Sequence, residues 1–213
     1  MKKHLTAFVA LLLMFVSCED PITFTEPQPA GFKTAKKFPK KLSGKYISIK
    51  DSSMLVVKEH SIIRKYDFNI KIHSNQLDSN IIRVGDSIID LKTNDRFVII
   101  NETDSITCRL HVKDTLFLIS DENVLKKYQG YYFLNLKKGD QRWEVKQLKL
   151  YKNGVTISSI NSKEDLEKLK AITATEPDSL LPVTFTISKQ QFKEFIKQGG
   201  FAEEETFLKV KKK

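Results

Sequence analysis

From Leu42 to Ser120, apolar and polar residues alternate in short runs rich in Ile, Val, Tyr and Phe, and polar breaks separate the runs. A helix needs a repeat near 3.6, so a period of two leaves extended strand as the regular structure that gathers the apolar side chains on one face. The runs predict strands over 45–50, 54–59, 61–73, 80–84, 87–91, 96–101, 105–112 and 115–120. The breaks at Val84-Gly85-Asp86-Ser87, Asn101-Glu102-Thr103-Asp104 and Lys113-Asp114 are short, which predicts hairpins whose neighbours in sequence are neighbours in space. In the longest run Tyr66, Phe68, Ile70 and Ile72 share one face, and Asp67, Asn69, Lys71 and His73 share the other. An antiparallel meander with one apolar face must close into a barrel or be covered.

A second segment begins after Asp121-Glu122-Asn123. Its opening, Tyr128-Gln129-Gly130-Tyr131-Tyr132, echoes Leu42-Ser43-Gly44-Lys45-Tyr46, and both place Gly-x-Tyr at a first strand. Residues 142–151 and 155–160 flank Asn153-Gly154, a strong hairpin signal, and the alternation set by Trp143 and Val145 slips near Lys146-Gln147, which predicts a bulge. Two helices follow. Ser162-Lys163-Glu164-Asp165 has the form of a capping box ahead of Leu166, Leu169 and Ile172. Ser188 with Gln191 forms another, Ile187 and Phe192 stand at staple positions, Phe192, Phe195 and Ile196 form the buried stripe, and Gly199 supplies the stop. Strands are predicted at 183–187 and 205–211. The fold class is therefore mainly β, all-β to α+β: an antiparallel meander over 42–122, then a β segment with two short helices over 123–213.

The chain opens Met1-Lys2-Lys3-His4, continues without charge from 5 to 16, and reaches Ser17-Cys18-Glu19-Asp20. A basic start and an apolar run of about a dozen residues describe a secretory signal peptide over 1–17, too short for a spanning helix. Phe15-Val16-Ser17-Cys18 resembles the lipobox of bacterial lipoproteins. That resemblance implies cleavage before Cys18, a diacylglyceryl group on its sulfur and acylation of the new amino terminus. Two or more chains, at about 0.8 kcal/mol per buried methylene, hold a protein stably on a membrane. Acidic residues directly after the cysteine resemble sorting signals of Gram-negative lipoproteins, and the outer membrane is the expected location. Residues 18–41 contain four of the six prolines and read as a tether, extending roughly 3.1 Å per residue. The lipobox together with Glu26-Pro27-Gln28-Pro29, Phe38-Pro39 and Leu42-x-Gly44-x-Tyr46 is similar to uncharacterised exported lipoproteins of Gram-negative bacteria. Gly44-Lys45-Tyr46 also resembles the Gly-x-Trp that opens lipocalin-like barrels, which implies a carrier of a small apolar ligand.

The formal charge is +10 over the whole chain. A basic exported protein meets anionic lipid, lipopolysaccharide or cell-wall polymer before nucleic acid, so nucleic acid is not an expected partner. The lysines are spread along the chain as a solvated face would have them. Of the two cysteines, lipidation occupies Cys18 and leaves Cys108 without a disulfide partner. Alternation sets Cys108 beside Ile106, Leu110 and Val112, which predicts a buried, inert thiol.

Gly85-Asp86-Ser87-Ile88 looks like the nucleophile block of the GDSL hydrolases, but Thr93-Asn94-Asp95 lacks the glycine of their oxyanion-hole block and no histidine follows His111. A serine without a positioned base is a poor nucleophile, so the motif reads as a hairpin turn. His60, His73 and His111 lack the spacing of a local zinc site, and no cofactor loop is present in the sequence. The expected function is a non-catalytic, lipid-anchored binding module for an envelope protein or cell-surface polymer. Tyr131, Tyr132 and Phe133 are consecutive, so Tyr132 points away from its neighbours; with Trp143 and Tyr151 it forms the candidate docking set. The competing arrangement buries all three in the core.

Overall fold

In the computed structural model, which describes residues 22–73, 80–103, 105–139, 141–174 and 183–211, the chain is mainly β, with fourteen strands and two α-helices among those residues. The expected leader and Cys18 lie outside the described residues. The described residues divide into two compact units, each assembled from separate stretches: those within 22–34, 126–147 and 158–204 form the first, and those within 35–125, 148–157 and 205–211 the second. The contact division has one of its breaks at 125/126, and the stretch after it contributes to both units.

The first unit is built around phenylalanine. Strand β1 (Thr23–Phe24) runs antiparallel to β11 (Trp143–Tyr151), with Phe24 opposite Trp143, and parallel to β13 (Thr184–Phe185). Strand β10 (Tyr131–Lys137) pairs with β11 and with β9 (Asn123–Tyr128). Helix α1 (Lys163–Thr173) and helix α2 (Lys189–Lys197) supply the remaining cover. Phe192 of α2 is fully buried and meets the rings of Phe24, Phe133, Phe195 and Phe201 at centroid distances of 6.1, 5.3, 6.4 and 6.2 Å.

Both helices start at the expected caps, but only the second completes the expected capping box. Ser188 Oγ accepts from the Gln191 amide while Gln191 Oε1 accepts from the Ser188 amide, a complete capping box. At α1, Ser162 Oγ accepts from the Asp165 amide, but the Asp165 carboxylate does not reach back to the cap amide. It takes the Ser162 hydroxyl at 2.9 Å and the Ala202 amide at 3.0 Å, so it pins the helix start to the chain after α2.

The proline-rich stretch, expected as a tether, is folded from residue 22 onward. Pro27 and Pro29 carry no amide, so this segment has more backbone acceptors than donors and needs donors from elsewhere. Lys126 Nζ donates to the Pro27 and Pro29 carbonyls at 2.7 and 2.9 Å. Burial lowers the pKa of this amine despite the Glu26 charge nearby. Asn135, fully buried on β10, accepts from the Gln28 amide at 2.6 Å and donates to the Gln28 carbonyl at 2.9 Å. Further along, in the second unit, Phe38 is buried against Phe117 at 6.0 Å, and its amide donates to the Glu59 carbonyl. Two side chains thus replace the ladder that the prolines cannot build.

The second unit contains the meander. Its strands are β2 (Gly44–Ser48), β3 (Met54–Val57), β4 (Ser61–His73), β5 (Ile81–Val84), β6 (Ser87–Asp90), β7 (Asp95–Glu102), β8 (Ser105–Leu118) and, at the chain's end, β14 (Glu203–Lys209). They lie in the order β14-β2-β3-β4-β8-β7-β6-β5, and β5 pairs with β6 alone among the described residues, so the sheet is open rather than a barrel. Two expectations about this sheet fail. Lys113-Asp114 is not a turn: the residues continue β8, opposite Lys65 and Arg64, and their polarity reflects an exposed stretch of a long ribbon. Strand β4 pairs with β8 rather than with β5, because the hairpins β5–β6, β6–β7 and β7–β8 fold back and present a strand long enough to match β4 from Ser61 to His73.

The apolar face is only partly covered. Ile70 and Ile72 pack against the buried cluster of Ile88, Ile106 and Cys108, whereas Phe68 and Val112 stay exposed at 45% and 39%. Cys108 is fully buried and burial pushes its thiol pKa up, as an inert cysteine requires.

One half-buried charge cluster fastens β14 to this sheet. The Arg64 guanidinium donates to both Glu205 oxygens, to Asp51 Oδ2 at 2.9 Å and to Ser53 Oγ at 2.8 Å. It lies 5.0 and 5.3 Å from the rings of Tyr66 and Phe207. Burial opposes the Asp51 charge, but hydrogen bonds from the Ser53 side chain and amide and from Ser48, with the Arg64 charge, outweigh it and hold the carboxyl at about 2.

Two outcomes follow from these contacts. Asn135→Ala strands the amide and carbonyl of Gln28 and should cost about 2 kcal/mol or more in denaturant unfolding, with cleavage by added protease appearing within residues 22–34. Because the Asp51 carboxyl titrates lower folded than unfolded, its stabilisation is complete above pH ~4 and is lost as pH falls towards ~2. Thermal melts across that window should show the loss, and Asp51→Asn should reduce its slope.

Candidate binding cleft

The ends of β2, β3 and β14 meet the turn between β11 and β12 (Gly154–Ser159) in the second unit and leave a cleft of about 900 Å³. Ser43, Gly44 and Lys45 enter from the start of β2, Val56 and Val57 from the end of β3, Lys152 and Asn153 from the turn, and Lys209, Val210 and Lys211 from the end of β14. Backbone pairing sets these positions. Gly44 lies opposite Val57 and Lys45 opposite Val56; the Lys209 amide donates to the Asn153 carbonyl at 2.8 Å and the Val210 amide to the Lys45 carbonyl at 2.9 Å.

Local sequence explains the tight approach of these strands. Asn153-Gly154 marks the hairpin as expected, but Gly154 begins β12, and its role is proximity. A Cβ there would stand 2.1 Å from the Phe207 carbonyl oxygen and 2.6 Å from the Tyr151 hydroxyl. The alternation of β11 breaks where expected: Gln147 and Leu148 are both buried, at the point where the strand leaves the first unit for the second. Under the cleft, the buried Tyr46 donates its hydroxyl to the Leu42 carbonyl at 2.7 Å, and Lys209 Nζ sits 5.8 Å from its ring centroid.

The electrostatics are one-sided. Four lysines line the cleft with no carboxylate among the lining residues, and none of the four is ion-paired among the described residues. Val56 and Val210 lie on the Lys45 side of the sheet, whereas Val57 is buried on the Tyr46 side. Immediately along the strands, Leu208 lies opposite Ile47, which lies opposite Met54, and Ile47 and Leu208 are exposed at 42% and 48%.

The aromatic docking set does not assemble. Tyr132 is 3% exposed, while the Tyr131 and Phe133 rings face each other at 6.5 Å. Tyr132 does take the opposite face from its neighbours, but that face is covered too, so it is core and not a docking residue. Trp143 is half-buried in the first unit; Tyr151, also half-buried, belongs to the second and donates its hydroxyl to the Phe207 carbonyl at 3.4 Å. Cys18 is outside the described residues.

The remaining motifs resolve locally. Gly85-Asp86 is the two-residue turn between β5 and β6, with Gly85 at φ +60°, and the buried Ser87 donates its hydroxyl to Asp86 Oδ1 at 2.9 Å. His111 bonds Asp67 across the β4–β8 ribbon, and no cluster of three metal-ligating side chains occurs among the described residues. No helix of the described residues is long and apolar enough to cross a membrane. The lysines of the cleft went unrecognised in the sequence, where they read only as part of a solvated face spread along the chain. Gly44-Lys45-Tyr46 and Asn153-Gly154 were the signals that stood beside them.

No protein-family model, curated protein or solved structure matches this chain.

Tyr132→Ala should cost about 3–5 kcal/mol of folding free energy, the range for a buried aromatic, whereas Lys45→Ala at the exposed cleft rim should stay within about 0.5 kcal/mol. Urea titrations of the two variants provide the comparison.

Proposed function

We propose that the protein is a lipid-anchored, non-catalytic binding module of the cell envelope, held at the outer membrane through Cys18 and engaging its partner through the lysine-rimmed cleft. The observation that carries this reading is the cleft itself: a concave site with apolar walls and uncompensated positive charge, supplied by three strand ends and a turn. The lipobox-like Phe15-Val16-Ser17-Cys18 supports the anchor. An envelope protein or an anionic cell-surface polymer satisfies the charge, with the lysines contributing mainly to encounter rate and orientation.

The carrier reading retains one favourable observation. A volume of about 900 Å³ lies within the span of small-molecule pockets, roughly 300–1,000 Å³. Since the meander is open, a carried ligand would lie at the strand ends and not in a barrel interior.

Fractionation tests the anchor. The wild-type protein should sediment with membranes at high salt and Cys18→Ser should be released; a Cys18→Ser protein that still sediments places the anchor elsewhere. Crosslinking in cells from a photoreactive residue at position 45 should trap a partner, and failure to trap one from any cleft position would overturn the interaction reading.

A further inference from the structure

The two faces of the sheet in the second unit are unequally covered. Along β2, Tyr46 and Ser48 point inward and are buried, while Ile47 points outward; β3 and β14 repeat the alternation, with Leu55 and Phe207 buried and Met54 and Leu208 outward. Strand register lines the outward residues up. Leu208 lies opposite Ile47, Ile47 opposite Met54, Met54 opposite Lys65 and Lys65 opposite Lys113, a cross-strand row that passes from apolar to basic. Ile49, 65% exposed, flanks this row on the same face, its amide on the Thr206 carbonyl at 3.1 Å. Lys45, Val56 and Val210 form the row on the other side, at the margin where the cleft opens.

The charge of this face is answered by nothing within it. Lys65 and Lys113 stand directly opposite each other, an arrangement that costs stability, and neither is ion-paired among the described residues. Asp67, one row further along the same face, is already held by His111. An anionic polymer would meet the lysines but leave Ile47, Ile49 and Leu208 in water, and a second copy of the face would set lysine against lysine. An anionic bilayer answers both: headgroups meet the ammonium groups, and the interfacial zone takes the aliphatic side chains. Chain length points the same way. Ile22 is packed in the core of the first unit, so only residues 19–22 separate Cys18 from folded structure, a reach of at most about 14 Å when fully extended. An anchor that short holds the folded chain at the headgroups, where a long proline-rich tether would have lifted it away.

Resting on the lipidation of Cys18 in the proposed function, we propose that this face of the second unit lies on an anionic lipid bilayer, with Lys65 and Lys113 on the headgroups and Ile47, Ile49 and Leu208 in the interfacial zone. The cleft, one row away, stays at the margin of the contact. Because the contact depends on charge it is weakened by salt, so sedimentation at high salt reads the Cys18 anchor alone.

The test uses the chain from Glu19 to Lys213, which keeps both units and carries no lipid, in flotation with vesicles of phosphatidylglycerol or of phosphatidylcholine. Binding to phosphatidylglycerol is expected, weak on phosphatidylcholine and released by high salt. Lys65→Gln with Lys113→Gln should weaken it by about tenfold or more, while the thermal melt stays level or rises as the like-charged pair is removed. Ile49→Thr with Leu208→Thr should weaken it as well, with an unchanged melt. An environment-sensitive dye on Ile49→Cys should shift to the blue on phosphatidylglycerol, and further than the same dye on Lys152→Cys; Cys108, fully buried, does not take the dye. No binding to phosphatidylglycerol, equal binding to phosphatidylcholine, undiminished binding in both double variants, or a shift confined to position 152 would each overturn the proposal. Binding of heparin by a chain that ignores vesicles would assign the lysines to an anionic polymer, and a dimer that shields the dye at position 49 without lipid would assign the face to a second copy; either overturns it too. None of these outcomes depends on the anchor. The proposed function fails on its own terms, if Cys18→Ser stays with membranes at high salt or no cleft position traps a partner.

Discussion

The first unit depends on how a proline-rich segment satisfies its backbone. Pro27 and Pro29 cannot donate, so the chain from 26 to 30 would leave bare carbonyls wherever it was buried. Asn135 and Lys126 resolve this from β10 and β9, one with both faces of its amide on Gln28, the other with its ammonium on the two proline carbonyls. In the same segment β1 lies between β11 and β13, and Phe24 packs in the cluster around Phe192.

The second unit has a different organising element, the paired β4 and β8. Their register runs the length of β4, with one shift between Ile62 and Ile63, and carries both a hydrophobic cluster at one end and charged cross-strand pairs in the middle. Arg64 sits towards the other end of the ribbon from that cluster, opposite Asp114. Its guanidinium is buried enough to need carboxylates and finds them on the loop after β2 and on β14, so the final strand of the chain is bound by charge as well as by its ladder to β2. At the cleft, β14 keeps its pairing beyond Lys209, with the Val210 amide on the Lys45 carbonyl beside the start of β2.

Most local structure was legible in the residues themselves. The alternation of 61–73, the capping pair Ser188 and Gln191, the Gly85-Asp86 turn and the buried state of Cys108 each rest on interactions within a few positions or on one strand's own faces. The misreadings share a cause. Lys113-Asp114 looked like a turn because polarity marks exposure, and exposure occurs within a long ribbon as readily as at its end. Residues 22–41 looked like a tether because proline opposes regular structure, and their donors are about a hundred positions away in the chain.

By itself the sequence determined the class of fold, since a period of two admits little but strand, and it determined where helices begin, since a cap is made by residues three apart. It also set the chain's net positive charge. Only the tertiary structure decided that Tyr132 is core, that β4 chooses β8, and that Lys45, Lys152, Lys209 and Lys211 share one cleft. The physical reason is that burial and charge convergence depend on which distant strands meet, and a residue's own neighbours in the chain carry no record of that choice.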